Sequence, residues 1–293
     1  MYLIVVNSKS GKGHARRRAS KFVDLCKENG IRYKVVDKES AEDTKRDLNV
    51  ELLNPGYKAL IAVGGDGLVN LCVQFVAQKP ISLGVLPAGT GNDFARAVGA
   101  YKKSTEEIFW NLYQTKPNSI DLGLIEGSLL KHWYVQVLST GFDALVNSKA
   151  NEIKWPKGKS KYTIATILTL ARFKPIPYRL IIDKKIIEQD AMLLSVANGK
   201  TYGGGMRICP NASNSDGQFD VLLVRPVSKI VLLTIFPKVF FGKHIPHPKI
   251  DVYRGKEVSI SGNTKAFADG EYIDDLPIRI QNIQNSLSTW LFA

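Results

Sequence analysis

The sequence predicts two domains, an N-terminal α/β domain with a doubly wound parallel sheet and a C-terminal β-rich domain of the β-sandwich type. The chain has 293 residues and is 44% hydrophobic, which is enough to form two cores of ordinary size. Short β-branched runs alternate with longer helical runs up to residue 118, a βα pattern typical of parallel sheets. From residue 119 onward, strand-like runs dominate.

The first part of the chain contains four predicted strands and five predicted helical segments. The strands cover 3–6, 33–37, 59–63 and 81–86. The helices cover 15–29, a stretch that ends at 53, 68–77, 93–98 and 105–113. Ligands of doubly wound sheets bind beyond the carboxyl ends of the strands, so the loops there are the expected site.

The second part contains six predicted strands and two predicted helices. The strands cover 133–138, 178–183, 191–196, 219–224, 257–260 and 276–280, and the helices cover 161–173 and 229–241. The turns Asp216-Gly217 and Asp269-Gly270 fit antiparallel pairing. A break at Lys116-Pro117-Asn118-Ser119 predicts domains 1–118 and 119–280, with the segment 281–293 joining the first domain.

The charge of the chain indicates a polyanionic partner. Lys and Arg number 40 against 27 Asp and Glu, a net charge of +13, which suits either nucleic acid or an anionic membrane surface. Basic residues cluster at Arg16–Arg18 and around Trp155, before the predicted helix 161–173. The second cluster is typical of a membrane interface, or else of an ordinary amphipathic helix with a basic entry. Zinc-finger, basic-zipper and RNP spacings are missing, so we expect no nucleic-acid partner.

The cysteines and the apolar runs predict a cytoplasmic protein without a membrane span. The three cysteines are scattered and lack CxxC spacing, so we expect small buried hydrophobes in a reducing compartment. The apolar run 230–241 is interrupted by a proline and a lysine, and it is too short to span a bilayer. His244 and His247 flank a proline, and we expect them in a solvated loop.

Three glycine-rich segments, 7–13, 64–67 and 87–93, follow predicted strands of the first domain. Glycine lets backbone N–H groups approach phosphate oxygens, and a helix start adds its positive dipole, so the segments predict a polyphosphate site. Neither a dinucleotide fingerprint nor a P-loop fits the spacing. Asp66 and Asp93 either cap the helices that follow or hold Mg²⁺ among the phosphates. Their place on adjacent loops favours Mg²⁺.

Two motifs carry a resemblance to a known family. Gly64-Gly65-Asp66-Gly67 with Asn70, and the string from Pro87 to Arg96 (PAGTGNDFAR), resemble the soluble bacterial diacylglycerol kinase and lipid kinase family. This family is related to sphingosine and ceramide kinases and shares an NAD kinase-like fold. The resemblance extends over nearly the whole chain, through 7–13, 120–123, 198–205, 216–220 and 269–271.

The resemblance implies roles for individual residues. Those implied for ATP binding are Asn7, Gly64, Gly65, Asp66, Gly67, Asn70, Thr90, Asn92 and Asp93. Those implied for the catalytic Mg²⁺ are Asp66, Asp93 and Asp121. Those implied for a structural Mg²⁺ are Asp216 and the backbone carbonyls of Ser213 and Gln218. Asp269 is implied as the general base with Glu271 beside it, although Asp269-Gly270 alone is more typical of a hairpin turn.

These observations predict an ATP-dependent lipid kinase that phosphorylates a membrane alcohol, foremost diacylglycerol, from a position on an anionic membrane surface. The cleft between the domains is the expected site, and an exposed edge strand is a possible route to a homodimer. Two alternatives remain open. One is a catalytically weak, nucleotide-binding regulatory homologue, because Leu68 and Leu71 stand where the family commonly has threonine and glutamate. The other is a soluble-substrate kinase of the NAD kinase type.

Overall fold

The structure is a computed structural model that describes residues 1–127, 131–142 and 173–292, with isolated positions at 145–146, 149, 152 and 169. Most of the predicted helix 161–173 and the lysines around Trp155, namely Lys154, Lys157, Lys159 and Lys161, lie outside the described residues. The chain divides into two compact units. The first comprises 1–122, 203–205 and 283–293, and the second comprises 123–202 and 206–282.

The first unit alternates strands and helices along the chain. Its elements are β1 (Tyr2–Val6), α1 (His14–Glu28), β2 (Tyr33–Asp37), α2 (Ala41–Glu51), β3 (Ala59–Gly64), α3 (Asp66–Val76), β4 (Ser82–Pro87), α4 (Asp93–Ala97) and α5 (Thr105–Gln114). The strands are parallel in the order β2-β1-β3-β4. This arrangement confirms the predicted doubly wound α/β domain.

Local sequence signals explain where these helices begin. The Ser40 hydroxyl accepts the N–H of Asp43 at 3.1 Å at the start of α2. Ser104 and Glu107 form a capping box on α5, with Glu107 accepting the Ser104 N–H at 2.7 Å. Such caps satisfy backbone donors that the first helical turn leaves without partners.

The order of the strands fixes the position of the ligand crevice. β1 lies between β2 and β3, so the connection from β1 leads to a neighbour on one side, and the connection from β2 leads back past β1 to β3 on its other side. The loops that follow β1 and β3 therefore flank a topological switch point at the carboxyl edge, where doubly wound sheets bind ligands. Both loops are glycine-rich segments.

The second unit is built from antiparallel strands. Its strands are β6 (Lys131–Tyr134), β7 (Val137–Gly141), β8 (Ile176–Ile182), β9 (Lys185–Ala191), β10 (Leu193–Ala197), β11 (Phe219–Val224), β12 (Ile250–Gly255), β13 (Glu257–Ser261), β14 (Lys265–Ala268) and β15 (Glu271–Asp275). It also contains α6 (Lys229–Val239). Two further strands, β5 (Asn118–Glu126) and β16 (Ile278–Thr289), have residues in both units.

Two sheets of the second unit enclose a common core. One has six strands in the order β12-β11-β10-β7-β14-β15, and the other contains β13, β8, β9 and the first residues of β16. Alternate residues of β11, such as Phe219 and Val221, lie in the core shared with Leu180 and Val258 of the other sheet. Leu222, the next residue after Val221, faces the opposite side of the sheet and lies in a second core together with residues of α6. This period of two confirms the predicted β-rich domain.

Several strands differ from the prediction. The run 133–138 forms two strands, because the chain bends at 135–136 between β6 and β7. The sequence predicts no strand over the segments that form β5, β9, β12, β14 and β15. β9 reads KIIEQDA and has one edge unpaired in the described sheet, so its polar residues give a weak strand signal.

Burial confirms one side-chain prediction and contradicts another. Cys26, Cys72 and Cys209 are buried free thiols, as expected. His244 is not solvated: it is 1% exposed and its Nε2 lies 2.9 Å from the Ile208 carbonyl oxygen. Burial lowers the pKa of His244. Within the described residues, no helix has the length and hydropathy to cross a bilayer.

Candidate active site

The three glycine-rich loops of the first unit pack directly against one another. The Ala88 N–H donates to the Gly64 carbonyl at 2.7 Å. A Cβ on Gly89 would lie 2.5 Å from the Gly65 Cα, and a Cβ on Gly11 would lie 2.2 Å from the Ala88 carbonyl oxygen. Only glycine permits these approaches, so the loops form one backbone-lined surface at the carboxyl edge of the sheet.

Asn92 shapes the third loop from within. It adopts a left-handed conformation with φ of 55°. Its Oδ1 accepts the Gly89 N–H at 2.9 Å, and its Nδ2 donates to the Gly89 carbonyl at 2.7 Å. The side chain thus holds the loop closed, a role the resemblance did not imply. Thr90, between the two, is exposed.

Asp66 does not cap its own helix. It is the first residue of α3, whose N-cap is Gly65. Its Oδ1 accepts the N–H of Asp93 at 2.6 Å, at the start of α4. Burial raises the pKa of the Asp66 carboxyl, against the opposing effect of the Asp93 N–H. The carboxylate therefore ties the second glycine loop to the third.

Asp93 likewise reaches beyond its own helix. Its two oxygens accept the N–H groups of Gly204 and Gly205, each at 2.7 Å. Both glycines have positive φ values, 85° and 103°, so the chain there suits glycine. Burial raises the pKa of the Asp93 carboxyl, and the neighbouring negative charge of Asp66 raises it further. Asp93 is buried and Asp66 is half-buried, and two neighbouring carboxylates that repel each other favour a cation beside them.

Gly91 keeps the space beside these carboxylates open. A Cβ there would lie 2.5 Å from the Asp66 Oδ2 and 3.5 Å from the Asp93 Oδ2. The bare Cα therefore faces both acidic side chains. The donor set consists of hard oxygens beside a phosphate-type backbone surface, and its chemistry fits Mg²⁺.

Two arginines support this region, and the sequence analysis gave neither of them this role. The Arg96 Nε donates to the Gly91 carbonyl at 3.2 Å, and its guanidinium lies 3.4 Å from the Tyr101 ring centroid. Arg18 was grouped with a basic surface, which was wrong, because its Nη1 donates to the Pro87 carbonyl at 2.8 Å and it is 9% exposed. The sequence feature that indicates the burial of Arg18 is its position next to an alanine on the buried face of α1.

Asp121 does not join the other two acidic residues. It is 3% exposed, and its Oδ1 accepts the Asn285 N–H at 2.9 Å. Among the described residues, no three His, Cys, Asp or Glu side chains are grouped closely enough to hold a metal. The sequence-derived set of three carboxylates therefore reduces to Asp66 and Asp93.

The remaining residues implied for nucleotide binding lie on the first two loops and on α3. Asn7 is exposed at the end of β1, and its carbonyl accepts the Ser10 N–H at 2.9 Å. Asn70 is buried on α3. Leu68 and Leu71, each 9% exposed, belong to the buried side of the same helix. They contribute to the core, so the apolar substitutions have a packing role.

In the second unit, Asp269 occupies a tight turn between β14 and β15, as the dipeptide predicts. Its φ is 49° and that of Gly270 is 90°. Its carboxylate accepts three backbone N–H groups, from Val135 at 2.7 Å, Gln136 at 2.9 Å and Val137 at 3.2 Å. These bonds fix the orientation of the carboxylate. Glu271 follows as the exposed first residue of β15.

A buried polar cluster that the sequence gave no reason to expect adjoins Asp269. Gln136 is 2% exposed, and neither Oε1 nor Nε2 has a hydrogen-bond partner in the described part of the chain. The Gln136 Oε1 lies very close to Gly199, since a Cβ on that glycine would be 2.0 Å from it. Nearby, the Asn198 Nδ2 donates to the Val135 carbonyl at 2.8 Å.

The carboxylate of the residue set implied for a structural Mg²⁺ has partners within the chain. The Asp216 carboxylate forms an ion pair with Arg254, whose Nε also donates to the Asp220 Oδ1 at 3.1 Å. The other Asp216 oxygen accepts the Gln218 N–H at 3.1 Å, and the Ser213 hydroxyl is hydrogen-bonded to that of Ser215. A guanidinium of the chain itself thus balances the acidic charge.

Comparison with known proteins covers both units. Residues 1–125 match the diacylglycerol kinase catalytic domain, and residues 136–289 match the YegS C-terminal NAD kinase beta sandwich-like domain. The diacylglycerol kinase of Mycobacterium tuberculosis is 35% identical over 286 residues, which is 97% of this chain and 92% of that protein.

Two solved structures share the fold. The crystal structure of a diacylglycerol kinase from Bacillus anthracis superposes with a TM-score of 0.79 at 21% identity, covering 99% of this chain and 96% of that one. The NAD kinase from Archaeoglobus fulgidus, solved with ATP, has a TM-score of 0.56 at 14% identity, covering 99% and 93%.

Proposed function

This chain belongs to the diacylglycerol kinase catalytic-domain family, and we propose that it transfers the γ-phosphate of ATP to diacylglycerol, giving phosphatidic acid. Family membership makes it a phosphotransferase with an alcohol acceptor and, at the level of substrate class, a lipid kinase. The choice of diacylglycerol rests on the names of its relatives.

The observation that carries the proposal is the pair of neighbouring carboxylates, buried Asp93 and half-buried Asp66, set among three glycine loops. Phosphoryl transfer needs positioning and charge neutralisation more than covalent chemistry from the protein. The backbone of 7–13, 64–67 and 87–93 would bind the phosphates, with Asn7, Asn70 and Thr90 at the margins. The N–H groups of Ser10, Ala88, Gly89 and Asp93 already donate within the protein, so other N–H groups of these loops would serve. A Cβ at Gly91 would enter the space beside the two carboxylates.

Asp66 and Asp93 would also hold Mg²⁺. When bound, the ion neutralises phosphate charge that develops in the transition state. The chain's own contribution is to keep both carboxylates fixed by N–H donors from Asp93, Gly204 and Gly205. Arg96 holds the Gly91 carbonyl, which keeps the loop beside the carboxylates in place.

Asp269 would serve as the general base. It would accept the proton of the acceptor hydroxyl as that oxygen attacks the γ-phosphorus. The three N–H bonds to its carboxylate support this role, because a base must keep a fixed orientation toward the proton it removes. Glu271, two residues on and exposed, would add negative charge beside it.

The proposal includes peripheral association with the anionic cytoplasmic face of a membrane. The net charge of +13 supports electrostatic attraction to such a surface. It also includes a homodimer formed by pairing of a sheet edge, because β12 and β15 lie at the two ends of the six-stranded sheet. Sedimentation velocity of the purified protein tests the dimer directly.

The experiment that tests the activity follows label from γ-phosphate-labelled ATP into a panel of lipids in mixed micelles, with Mg²⁺ present. The panel contains diacylglycerol, a sphingoid base, phosphatidylglycerol and undecaprenol, and NAD is tested without micelles. We expect label in diacylglycerol. Asp269→Asn should lower turnover by about two to four orders of magnitude, since general-base catalysis contributes about 10²–10⁴-fold, while ATP binding stays intact.

Asp275→Asn is the matched control. Asp275 is the last residue of β15, the strand that follows the Asp269 turn; it is exposed, and its Oδ1 accepts the Tyr272 hydroxyl at 3.1 Å. Its variant should keep full turnover. Label in another lipid would reassign the acceptor, label in NAD would favour a soluble-substrate kinase, and no label despite ATP binding would favour a regulatory homologue. Full turnover by Asp269→Asn would remove Asp269 from the mechanism.

A further inference from the structure

The helix α6 has an inner face that packs into the protein and an outer face that is apolar yet exposed. Leu232, Ile235 and Val239 are buried in the core under the six-stranded sheet. On the other side lie four large apolar side chains, which we call the outer apolar face. They are Ile230, Leu233, Phe240 and Phe241, with exposed fractions of 75%, 50%, 45% and 70%.

This concentration of exposed apolar residues needs an explanation. Single exposed hydrophobic residues are ordinary, but a group of them close together marks an interaction surface. Ile230 and Leu233 lie on α6, and Phe240 and Phe241 lie in the turn that follows it. Ser228 caps the helix by accepting the Val231 N–H at 3.3 Å. The Phe236 and Phe240 rings then meet edge to face at 6.2 Å.

The charge around the outer apolar face identifies the kind of partner. In the sequence between Asp220 and Asp251 there is no Asp or Glu, and there are four lysines, Lys229, Lys238, Lys243 and Lys249. The one arginine of this stretch, Arg225, forms an ion pair with Asp251 at 2.9 Å. Lys229 and Lys238 lie on α6, and Lys243 follows the turn after it. An apolar helix face rimmed by lysine is typical of helices that lie in the interface of an anionic bilayer.

A second copy of this chain fits the surface less well. A twofold interface would place the same basic segment of each copy against the other, and like charges at an interface are unfavourable. A bilayer containing acidic lipid would instead pair its head groups with the lysines and accept the apolar side chains among its acyl chains.

We propose that α6 and the turn after it, Lys229–Lys243, form the membrane-docking surface of this protein, with the outer apolar face inserted into an anionic lipid bilayer. The inference rests on the proposed function in one respect, since that bilayer is the one that holds the lipid acceptor. It differs from the sequence-based expectation, which considered a membrane contact near Trp155.

The test is sedimentation of the full chain with vesicles, either of phosphatidylcholine alone or of phosphatidylcholine mixed with phosphatidylglycerol. The wild-type chain should bind the mixed vesicles and bind phosphatidylcholine weakly. The double variant Leu233→Ser/Phe241→Ser should lose about tenfold or more in binding to mixed vesicles, because it removes two large apolar side chains from the inserted face. Both substitutions lie on exposed positions, so the thermal unfolding midpoint should stay at the wild-type value.

The matched control is Val50→Ser/Leu53→Ser, which removes two exposed apolar side chains, 63% and 82% exposed, from the first unit. It should bind vesicles as the wild type does. Equal binding by all three proteins, or an equal loss in both double variants, would overturn the proposal. A change from dimer to monomer in Leu233→Ser/Phe241→Ser, with vesicle binding kept, would assign the surface to a second copy and overturn it too.

Activity separates this inference from the proposed function. On a short-chain diacylglycerol dissolved as monomers, the α6 variant should turn over as fast as the wild type, while on vesicles it should be slow. Asp269→Asn should bind vesicles normally. If the wild type binds vesicles through α6 but phosphorylates no lipid, the proposed function fails and the docking surface stands.

Discussion

At the scale of single residues, the catalytic proposal depends on glycines, which have no side chain, as much as on the acidic residues. Gly91 lies so close to Asp66 and Asp93 that a single methyl group would collide with one carboxylate and touch the other. Its φ is not in the left-handed region, so alanine would meet no backbone strain. A Gly91→Ala substitution therefore isolates the effect of space beside the carboxylates.

We predict that Gly91→Ala weakens Mg²⁺-ATP binding by about tenfold or more, since displacing groups that position metal ligands costs about 10–100-fold in metal affinity. The Asp66 side chain can shift to relieve the contact, so the unfolding midpoint should change little. Isothermal titration with ATP, with and without Mg²⁺, measures the effect. Binding of metal-free ATP should change less than binding of the complex.

Gly56→Ala supplies the control. Gly56 also lacks a left-handed φ, and its Cβ would approach only the Asn54 side chain, at 3.1 Å. It should bind Mg²⁺-ATP like the wild type. Unchanged affinity in Gly91→Ala would show that Asp66 and Asp93 do not hold the ion, whatever else they do in the fold.

The glycine loops and their acidic residues could be predicted from the sequence, because the motifs are contiguous and follow strong strand signals. The partners of those acidic residues could not be. Gly204 and Gly205 are more than a hundred positions from Asp93, and no local sequence pattern predicts that contact. The buried amide of Gln136 and the burial of Arg18 also depend on tertiary packing rather than on any short motif.

At the scale of elements, the α/β unit could be predicted closely and the β-rich unit only in part. Strands of the first sheet are buried on both faces and read as apolar runs such as ALIAVG in β3. β9, β12 and β15 instead have polar or charged residues at exposed positions, since each lies at a sheet edge. Short edge strands bury too few side chains to produce a clear signal.

The pairing of β11 with β12 depends on an ion pair that crosses between the strands. Asp220 of β11 has a side chain 6% exposed and contacts Arg254 of β12, which is 51% exposed. Burial raises the pKa of the Asp220 carboxyl, and Arg254 opposes that rise. The folded chain thus keeps this proton to higher pH than the unfolded chain, so this group's contribution to stability falls as pH rises through that range.

We predict that Arg254→Met lowers the free energy of unfolding by about 1–2 kcal/mol at neutral pH, the cost of leaving a buried carboxylate without its cation, discounted for the exposure of the arginine. Without Arg254 the Asp220 pKa should rise further. The loss should therefore shrink as pH falls toward 4 and the carboxyl becomes protonated. Urea unfolding at several pH values measures it.

Arg279→Met is the control, because Arg279 pairs with Glu257 across a site where both side chains are 50% exposed. Its loss should stay within about 0.5 kcal/mol. A pH-independent loss in Arg254→Met would contradict the assignment to Asp220. If millimolar Mg²⁺ raises the unfolding midpoint of Arg254→Met but not of the wild type, the guanidinium occupies the place of the implied structural ion.

At the scale of the whole molecule, the end of the chain is part of the structure formed by its beginning. Residues 283–293 belong to the first unit. The Thr289 hydroxyl donates to the Leu83 carbonyl of β4 at 2.7 Å, and the Trp290 Nε1 donates to the Thr115 carbonyl at 3.2 Å. Leu287 is fully buried and Trp290 is 6% exposed. The nucleotide-binding unit is thus completed only by the last segment of the chain.

We predict that ending the chain after Asn282 unfolds the first unit while the second unit stays folded. Two large buried side chains contribute about 1.5–3 kcal/mol each, and the hydrogen bonds from 285–290 to β4 and its neighbours are lost with them. That sum is a large part of the about 5–15 kcal/mol that stabilises an ordinary domain. Hydrogen exchange should show loss of protection in β1, β3 and β4 and retained protection in β10 and β11, together with loss of ATP binding.

A shorter truncation separates this effect from a general sensitivity of the C-terminus. Removing only 291–293 takes away the Phe292 N–H bond to the Val98 carbonyl at 2.8 Å, the Asn111 Nδ2 bond to the Leu291 carbonyl at 3.4 Å and a leucine that is 44% exposed. Hydrogen bonds contribute about 0.5–1.5 kcal/mol each, so this variant should keep ATP binding and protection in both units. If both truncations behave alike, β16 does not stabilise the first sheet. If only the longer one loses protection in β1, β3 and β4, the segment 283–290 stabilises the first sheet and nucleotide binding requires it.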